Sequence, residues 1–407
     1  MRRLKGIARR VQRVLVQWAM AITPASPHLV VHGFPINEGN AVEMLRASAR
    51  RYPGRVYWLV PDLEQGRAVL ESSRADPDGR VRLVEHRSFA GIRRFVTAEI
   101  SLFTHGLYGN PGRVRGKTMV NLWHGGGFKG SVMSDAKGRP AIHSDYLIAS
   151  SRQFGEILAR QSGLPAGGLL LTGNPRIDQF ARASTVPLDR LGIPGGRPFV
   201  LWMPTFRRNK GRGLTASWSD VASDDAADVN AVMARGVDIL TREFGVTVVV
   251  KPHPQDAESR HIEGVRVVTN EDLRDAGVQL YELIGASSGL LTDYSSVWID
   301  YLALDRPIGF VVPDESGYAS GRGFEPSDAL DWLPGPKLRT LDDVREFGRD
   351  VLDGGTGSSA RRHEVAEHIG QVSGPRVADR ILDELAARGV FSRPLRPLEE
   401  SRPGERR

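Results

Sequence analysis

Apolar residues follow two rhythms along this chain. Short apolar runs bounded by turn residues read as buried strands, and longer stretches with apolar positions three or four apart read as helices. From about residue 28, strand-like runs at 29–31, 56–60, 81–84, 102–104, 118–123, 146–149 and 169–171 alternate with helical stretches, notably 41–51 and 151–162. A segment rich in Pro and Gly follows at 186–197. The rhythm then restarts, with strands at 199–203, 246–250, 265–268, 289–291 and 307–312, a helix over 229–244, and closing helices near 359–369 and 376–388. Strand and helix in alternation mark a parallel sheet covered by helices. The pattern predicts an α/β protein of two Rossmann-like domains, 28–190 and 191–390, facing across a cleft where ligands bind at strand ends.

The segment 1–27 has a different pattern. Leu4, Ile7, Val11, Val14, Leu15 and Trp18 recur at steps of three and four, while Arg2, Arg3, Lys5, Arg9, Arg10 and Arg13 crowd the same stretch. On a helix these sets fall largely on opposite faces. A basic amphipathic helix with an interfacial Trp suits an anionic membrane surface. Packing on the protein is one alternative. A signal peptide ending at Ala19-Met20-Ala21 is another, but Gln12, Arg13 and Gln17 interrupt the apolar core it needs. At the other end, 391–407 is basic and Pro-rich and reads as a disordered tail. The polar stretch 211–225 reads as a mobile loop at the cleft mouth or as a plain surface insertion.

A length of 407 residues accommodates two cores. The formal net charge of +7 points to anionic partners: membrane lipids, nucleic acid or phosphorylated substrates. Zero cysteines exclude disulfides, Cys-ligated zinc and thiol catalysis. No apolar run is long enough for a transmembrane helix.

The chemistry-bearing residues sit where strands end. After the apolar run at 289–291 comes the polar turn Thr292-Asp293-Tyr294-Ser295-Ser296, and then a helix whose buried side would carry Val297, Trp298, Tyr301, Leu302 and Leu304. Hydroxyls and unpaired N–H groups at a helix start favour phosphate, although the same residues also make an ordinary cap. A second strand runs straight into His124, followed by Gly125, Gly126 and Gly127. The glycines admit another molecule close to the backbone, and the imidazole is the side chain best suited to take a proton near neutral pH. The bland alternative is a structural histidine. Lys251-Pro252-His253-Pro254 sets a cation and an imidazole on a stiff turn that suits a phosphate or diphosphate, or is simply a charged turn. Thr205 and Arg207 follow another strand, and Asn174 follows the last strand of the first half. No P-loop, G-x-G-x-x-G, H-E-x-x-H or G-x-S-x-G motif occurs. Asp76-Pro77-Asp78-Gly79 has the Asp-x-Asp form of a metal site but reads as a turn.

Taken in order, these segments resemble the CDP-glycerol glycerophosphotransferase family, the teichoic-acid glycerol and ribitol phosphate transferases. The resemblance rests on Trp123-His124-Gly125, Asn174-Pro175-Arg176-Ile177-Asp178, Pro204-Thr205-Phe206-Arg207, Lys251-Pro252-His253-Pro254 and Thr292-Asp293-Tyr294-Ser295-Ser296. It extends to Asp300, Arg306-Pro307-Ile308, Arg322-Gly323-Phe324, Pro334-Gly335-Pro336 and Ala378-Asp379-Arg380-Ile381, covering roughly 28–390. It implies the glycosyltransferase type B arrangement and transfer of glycerol phosphate from CDP-glycerol to an acceptor hydroxyl, with release of CMP. The implied setting is the cytoplasmic membrane face, with a lipid-linked glycan or polyol-phosphate acceptor and no nucleic acid. CDP-glycerol is the donor substrate, and no cofactor or metal is expected. On this reading His124 is the base. His253, Arg207, Ser295 and Ser296 stabilise the transferring phosphate, Arg322 adds a cation, and Asp293 orients its loop. Gly125, Gly126, Asn174, Thr205, Lys251 and Thr292 contact substrate. The chain departs from the family pattern at Gly126-Gly127-Phe128, while keeping Lys129, at Asn174 and Ile177, and at Glu325-Pro326. CDP-ribitol as donor, a nucleotide-sugar transferase of the same fold, and a non-catalytic binder of anionic polymers are the alternatives.

Overall fold

The computed structural model describes residues 2–125, 142–204, 224–252, 265–312 and 324–398. Two parallel sheets organise it. The first contains β1 (Ser26–His32), β2 (Arg55–Val60), β3 (Val81–Glu85), β4 (Ala98–Phe103), β5 (Thr118–Asn121), β6 (Tyr146–Ala149) and β7 (Leu169–Leu171), in the order β3-β2-β1-β4-β5-β6-β7. The second contains β8 (Phe199–Met203), β9 (Thr247–Val250), β10 (Arg266–Val267), β11 (Gly289–Thr292) and β12 (Ile308–Phe310), in the order β10-β9-β8-β11-β12. Parallel neighbours need crossovers. In the first half α2 (Gly39–Arg51), α3 (Leu63–Ser73), α4 (Phe89–Thr97) and α5 (Arg152–Ser162) supply them. In the second, α6 (Asp224–Arg242), α7 (Asn270–Ala276), α8 (Leu280–Ala286) and α9 (Val297–Tyr301) do so. Helices cover the sheets, so the inner strands are buried on both faces and read as apolar runs without alternation; β4 is buried at every position, whereas the edge strands β3 and β10 are only partly buried.

Each sheet reverses its order once, between β1 and β4 and between β8 and β11. Ligands bind at such switch points, outside the carboxyl ends of the strands. The two halves share an apolar core that runs from Leu29 and Trp58 to Trp298 and Leu385. After α10 (Leu341–Leu352) and α11 (Ser359–His368), helix α12 (Val377–Ala387) packs on the first half. Asp178 accepts the Val377 and Ala378 N–H groups at 2.7 and 2.9 Å, and Asp379 and Asp383 each take an Arg of α2 at 2.7 Å.

The segment expected to be a disordered tail begins in contact. Phe391 lies 5.9 Å from the Tyr52 ring, and the Arg396 N–H donates to Arg51 O at 2.8 Å. Two apolar anchors, Phe391 and Leu395, account for this. The Asp76 turn is as expected: its carboxylate accepts the N–H groups of Arg80 and Val81, both at 2.8 Å. The polar stretch 211–225 lies outside the described residues up to the start of α6.

Helix α1 (Arg2–Ile22) lies on the first half through Val16 and Met20, which are buried against a cluster containing Phe95 and Tyr108. Gln17 accepts the Gly112 N–H at 2.7 Å. Val11, Val14, Leu15, Trp18 and Ile22 are 52–65% exposed. The protein therefore covers one edge of the helix and leaves these apolar residues outside.

Candidate active site

Just past β5 the backbone turns sharply. Trp123 takes a φ of +43°, a conformation that side chains other than glycine rarely adopt and that recurs at functional sites. Neighbours hold it there. The Trp123 N–H donates to Asn121 Oδ1 at 2.9 Å, and Asn40 donates to the Leu122 and Trp123 carbonyls, both at 3.1 Å. His124 follows. Its ring stacks on His105 at 4.0 Å with planes 10° apart, and Trp123 lies 4.1 Å away. Its Nδ1 is 3.4 Å from Thr104 O. A proton on Nδ1 suits that carbonyl and leaves Nε2 as the nitrogen with a lone pair, the form a general base requires.

The other half meets this loop at Ser296. A Cβ added at Gly125 would stand 3.6 Å from Ser296 Oγ. The structure therefore brings together His124, Gly125 and the Ser295–Ser296 turn. It changes the reading of that turn. Helix α9 is only five residues long and passes directly into a 3₁₀ turn, so its dipole is small. Ser296 makes no side-chain capping bond, and Ser295 Oγ accepts the Val297 N–H at a long 3.5 Å. Any phosphate contact here comes from hydroxyl and local N–H donors rather than from a long helix.

Two expected ligands are committed elsewhere. Thr292 is fully buried and donates its hydroxyl to Met203 O at 3.2 Å. Asn174 donates its amide hydrogens to Asp300 Oδ1 at 2.7 Å and Ser150 Oγ at 3.3 Å. A polar residue at a strand end can face a ligand or a neighbouring chain segment, and both of these face the protein. Asp293 is fully buried. Gly126, Thr205, Arg207, His253 and Arg322 lie outside the described residues.

Lys251 stands just past β9, 4% exposed, with Nζ 3.1 Å from Pro252 O. Burial pushes its pKa from 10.5 down to about 8, against a small opposing pull from Asp272. An anionic ligand at Nζ would raise that pKa again. In the free protein the unfolded chain binds that proton more tightly, so stability rises with pH between about 8 and 10.5, and the full cost of the buried charge is present below 8. Lys251→Met should flatten this slope in urea midpoints measured across that window. An unchanged slope would rule out the buried ammonium as its source.

Sequence reasoning assigned no role to the charged group behind His124. Arg176 donates Nε and Nη2 to Asp300 Oδ2 at 2.8 and 2.6 Å, and Nη1 to the His124 carbonyl at 2.8 Å. Tyr281 donates to the same Asp300 oxygen at 2.7 Å, and Glu38 lies 3.7 Å from Nη1. All are buried. Burial opposes the charge on Arg176, but Asp300, Tyr281 and Glu38 outweigh it and hold its pKa above the ordinary value. Burial lifts the Glu38 carboxyl to about 6 although Arg176 pulls it down. Arg176 and Glu38 belong to the first half, Tyr281 and Asp300 to the second, so this group joins the halves directly behind His124.

The sequence carries a second signal in its histidines. Four of the ten histidines close apolar runs of the first sheet: L-V-V-His32, L-V-E-His86, L-F-T-His105 and N-L-W-His124. The fold gathers all four along one edge, at the ends of β1, β3, β4 and β5. Among the described residues no group of three or more His, Cys, Asp or Glu could hold a metal ion.

Two parallel sheets facing each other, with a strand-end histidine on one side and a hydroxyl turn on the other, define a transferase-like fold of the glycosyltransferase type B arrangement. The chain belongs to the CDP-Glycerol:Poly(glycerophosphate) glycerophosphotransferase family, whose model matches residues 38–387. It is thereby an enzyme of the teichoic acid glycerol/ribitol phosphate transferase family. A teichoic acid ribitol-phosphate primase of Bacillus spizizenii is 27% identical over 307 residues, 66% of this chain and 74% of the primase. A teichoic acid poly(glycerol phosphate) polymerase of the same species is 28% identical over 208 residues, 51% of this chain and 48% of the polymerase, so the match spans about half of that relative. The solved wall teichoic acid polymerase TagF superimposes with a TM-score of 0.68 at 19% identity, covering 96% of each chain. A UDP-GlcNAc 2-epimerase from Neisseria meningitidis gives 0.50 at 11%, covering 90% of this chain and 100% of that one. At these identities the structural likenesses speak for the fold alone.

Proposed function

We propose that this protein transfers glycerol phosphate from CDP-glycerol to a hydroxyl of a lipid-linked glycan or polyol-phosphate acceptor, with release of CMP. The observation that carries the reading is the meeting of the His124 loop with the Ser295–Ser296 turn, where a Cβ on Gly125 would reach within 3.6 Å of a serine hydroxyl. His124 Nε2 takes the proton of the acceptor hydroxyl as its oxygen attacks the β-phosphorus. The bond from that phosphorus to the CMP oxygen breaks, and CMP leaves as the anion. Charge on the phosphoryl oxygens is met by Ser295, Ser296 and Lys251, together with His253, Arg207 and Arg322 as the family resemblance assigns them. The reaction so written uses no metal or cofactor. A TagF variant has been soaked with CDPG, which supports CDP-glycerol as donor. CDP-ribitol is the second reading, favoured by the likeness to a ribitol-phosphate primase.

A donor screen tests the proposal. CMP release is followed from CDP-glycerol, CDP-ribitol and UDP-sugars with a membrane extract as acceptor source, with and without a chelator. The expected result is CMP from CDP-glycerol, unchanged by chelation. CMP from CDP-ribitol alone would transfer the assignment to that donor, and no CMP from either would overturn it.

The reading places the enzyme on the cytoplasmic face of the membrane as a peripheral protein. Among the described residues no helix is long and apolar enough to cross a membrane. The support is the apolar surface of α1, where Leu15 is 61% and Trp18 63% exposed. Leu15→Glu and Trp18→Glu should each weaken co-sedimentation with phosphatidylglycerol vesicles about tenfold, taking roughly 1.5 kcal/mol for an apolar side chain buried in lipid. Full binding by the double variant would remove α1 as the anchor.

A further inference from the structure

Beside His124, at the switch point between β1 and β4, the first half contains a cavity of about 440 Å³. Four of its polar lining residues are His32, His86, Arg87 and His105; α1 contributes Gln12, and the exposed ring of Phe34 also lines it. No carboxylate lines it. The imidazoles are fixed by the fold. Nδ1 of His32 lies 2.9 Å from Leu59 O, and Nδ1 of His86 lies 3.1 Å from Val60 O. Each Nδ1 must carry a proton to meet its carbonyl, so in the neutral ring Nε2 is an acceptor. Burial lowers the pKa of His32 to about 4 and also lowers that of His105, which keeps both rings neutral at pH 7.

The neutral imidazoles of His32 and His105 next to one guanidinium favour a particular chemistry. Bare ring nitrogens accept hydrogen bonds from hydroxyls, the guanidinium takes a phosphate oxygen, and an exposed aromatic ring packs on the carbon face of a polyol or sugar. His105 links this cavity to the reacting base, because it lines the cavity and stacks on His124. Gln12 links it to α1, whose neighbouring Val11, Val14 and Leu15 are exposed. An acceptor anchored in lipid under α1 would therefore reach the base through this opening.

We propose that this cavity is the acceptor subsite, seating the hydroxyl-rich, phosphorylated terminal unit of the acceptor and presenting its hydroxyl to His124. The inference rests on the reading that the enzyme transfers to an acceptor hydroxyl, and the experiment separates the two. The full chain is assayed for CMP release with an octyl-linked glycerol phosphate dimer as acceptor probe. Arg87→Gln and His86→Ala should each raise the KM for the probe about tenfold, the loss of one hydrogen bond to a charged or fixed group, and leave the KM for CDP-glycerol unchanged. Arg87 is exposed, so its variant should melt like the parent. An unchanged probe KM in both variants overturns the subsite. Should the parent release no CMP from any donor, the functional reading fails. The cavity is then read directly from the histidine ring signals in NMR: shifts at His32, His86 and His105 on adding the probe uphold it, and none overturns it.

Discussion

His124→Ala is expected to lower turnover by ~10²–10⁴-fold while CDP-glycerol still binds, the usual contribution of a positioned general base. On the proposed mechanism the effect should fall on kcat, because there the ring takes the acceptor's proton and does not hold the donor. The loop should keep its place in the variant. Its main tether, from Arg176 Nη1 to the His124 carbonyl at 2.8 Å, is made to the backbone and survives any side chain at this position. The Asn40 bonds to the Leu122 and Trp123 carbonyls survive as well. Stopped-flow or discontinuous CMP assays, paired with calorimetric binding of CDP-glycerol, separate chemistry from binding. Near-normal turnover would show that another group takes the proton.

Asp300→Ala should destabilise the protein by about 3–5 kcal/mol, the range for breaking one side of a buried ion pair. The loss removes both short contacts to Arg176 and the partners of Tyr281 and Asn174. Glu38, 3.7 Å from Nη1, remains to share the stranded charge and places the cost toward the lower end. Replacing all three charged members (Glu38→Gln, Arg176→Met and Asp300→Leu) should recover most of the stability, since no buried charge is then left alone. It should not recover turnover, because the His124 carbonyl has lost its donor. Urea unfolding and CMP release measured on the same proteins check both halves of the statement. A single variant costing less than 1 kcal/mol would show that the pair is not buried as described.

Much of the fold was legible because parallel strands buried on both faces write themselves as plain apolar runs. Tyr146–Ala149, Leu169–Leu171 and Phe199–Met203 were predicted to the residue. The facing of two sheets and the place of His124 followed from strand ends. Pairing was not legible: Arg176 and Asp300 lie far apart in sequence, and neither periodicity nor local spacing records a partner. For the same reason Thr292 and Asn174 read as ligands, since a strand-end hydroxyl or amide looks identical whether it meets substrate or a carbonyl of the next strand. The seating of 391–398 depended on Phe391 and Leu395 within a basic, Pro-rich stretch, where composition outweighed two apolar anchors. The row of four histidines was different. Its signal, an apolar run closed by His, was repeated in the sequence and only needed to be compared across strands.

The fork of Arg176 has a mechanical consequence. One guanidinium holds Asp300 of the second half and the carbonyl of His124 of the first, so a single side chain ties the seam between the halves to the His124 loop. Loss of that one side chain would therefore act at two places together, the seam between the halves and the backbone of the His124 loop.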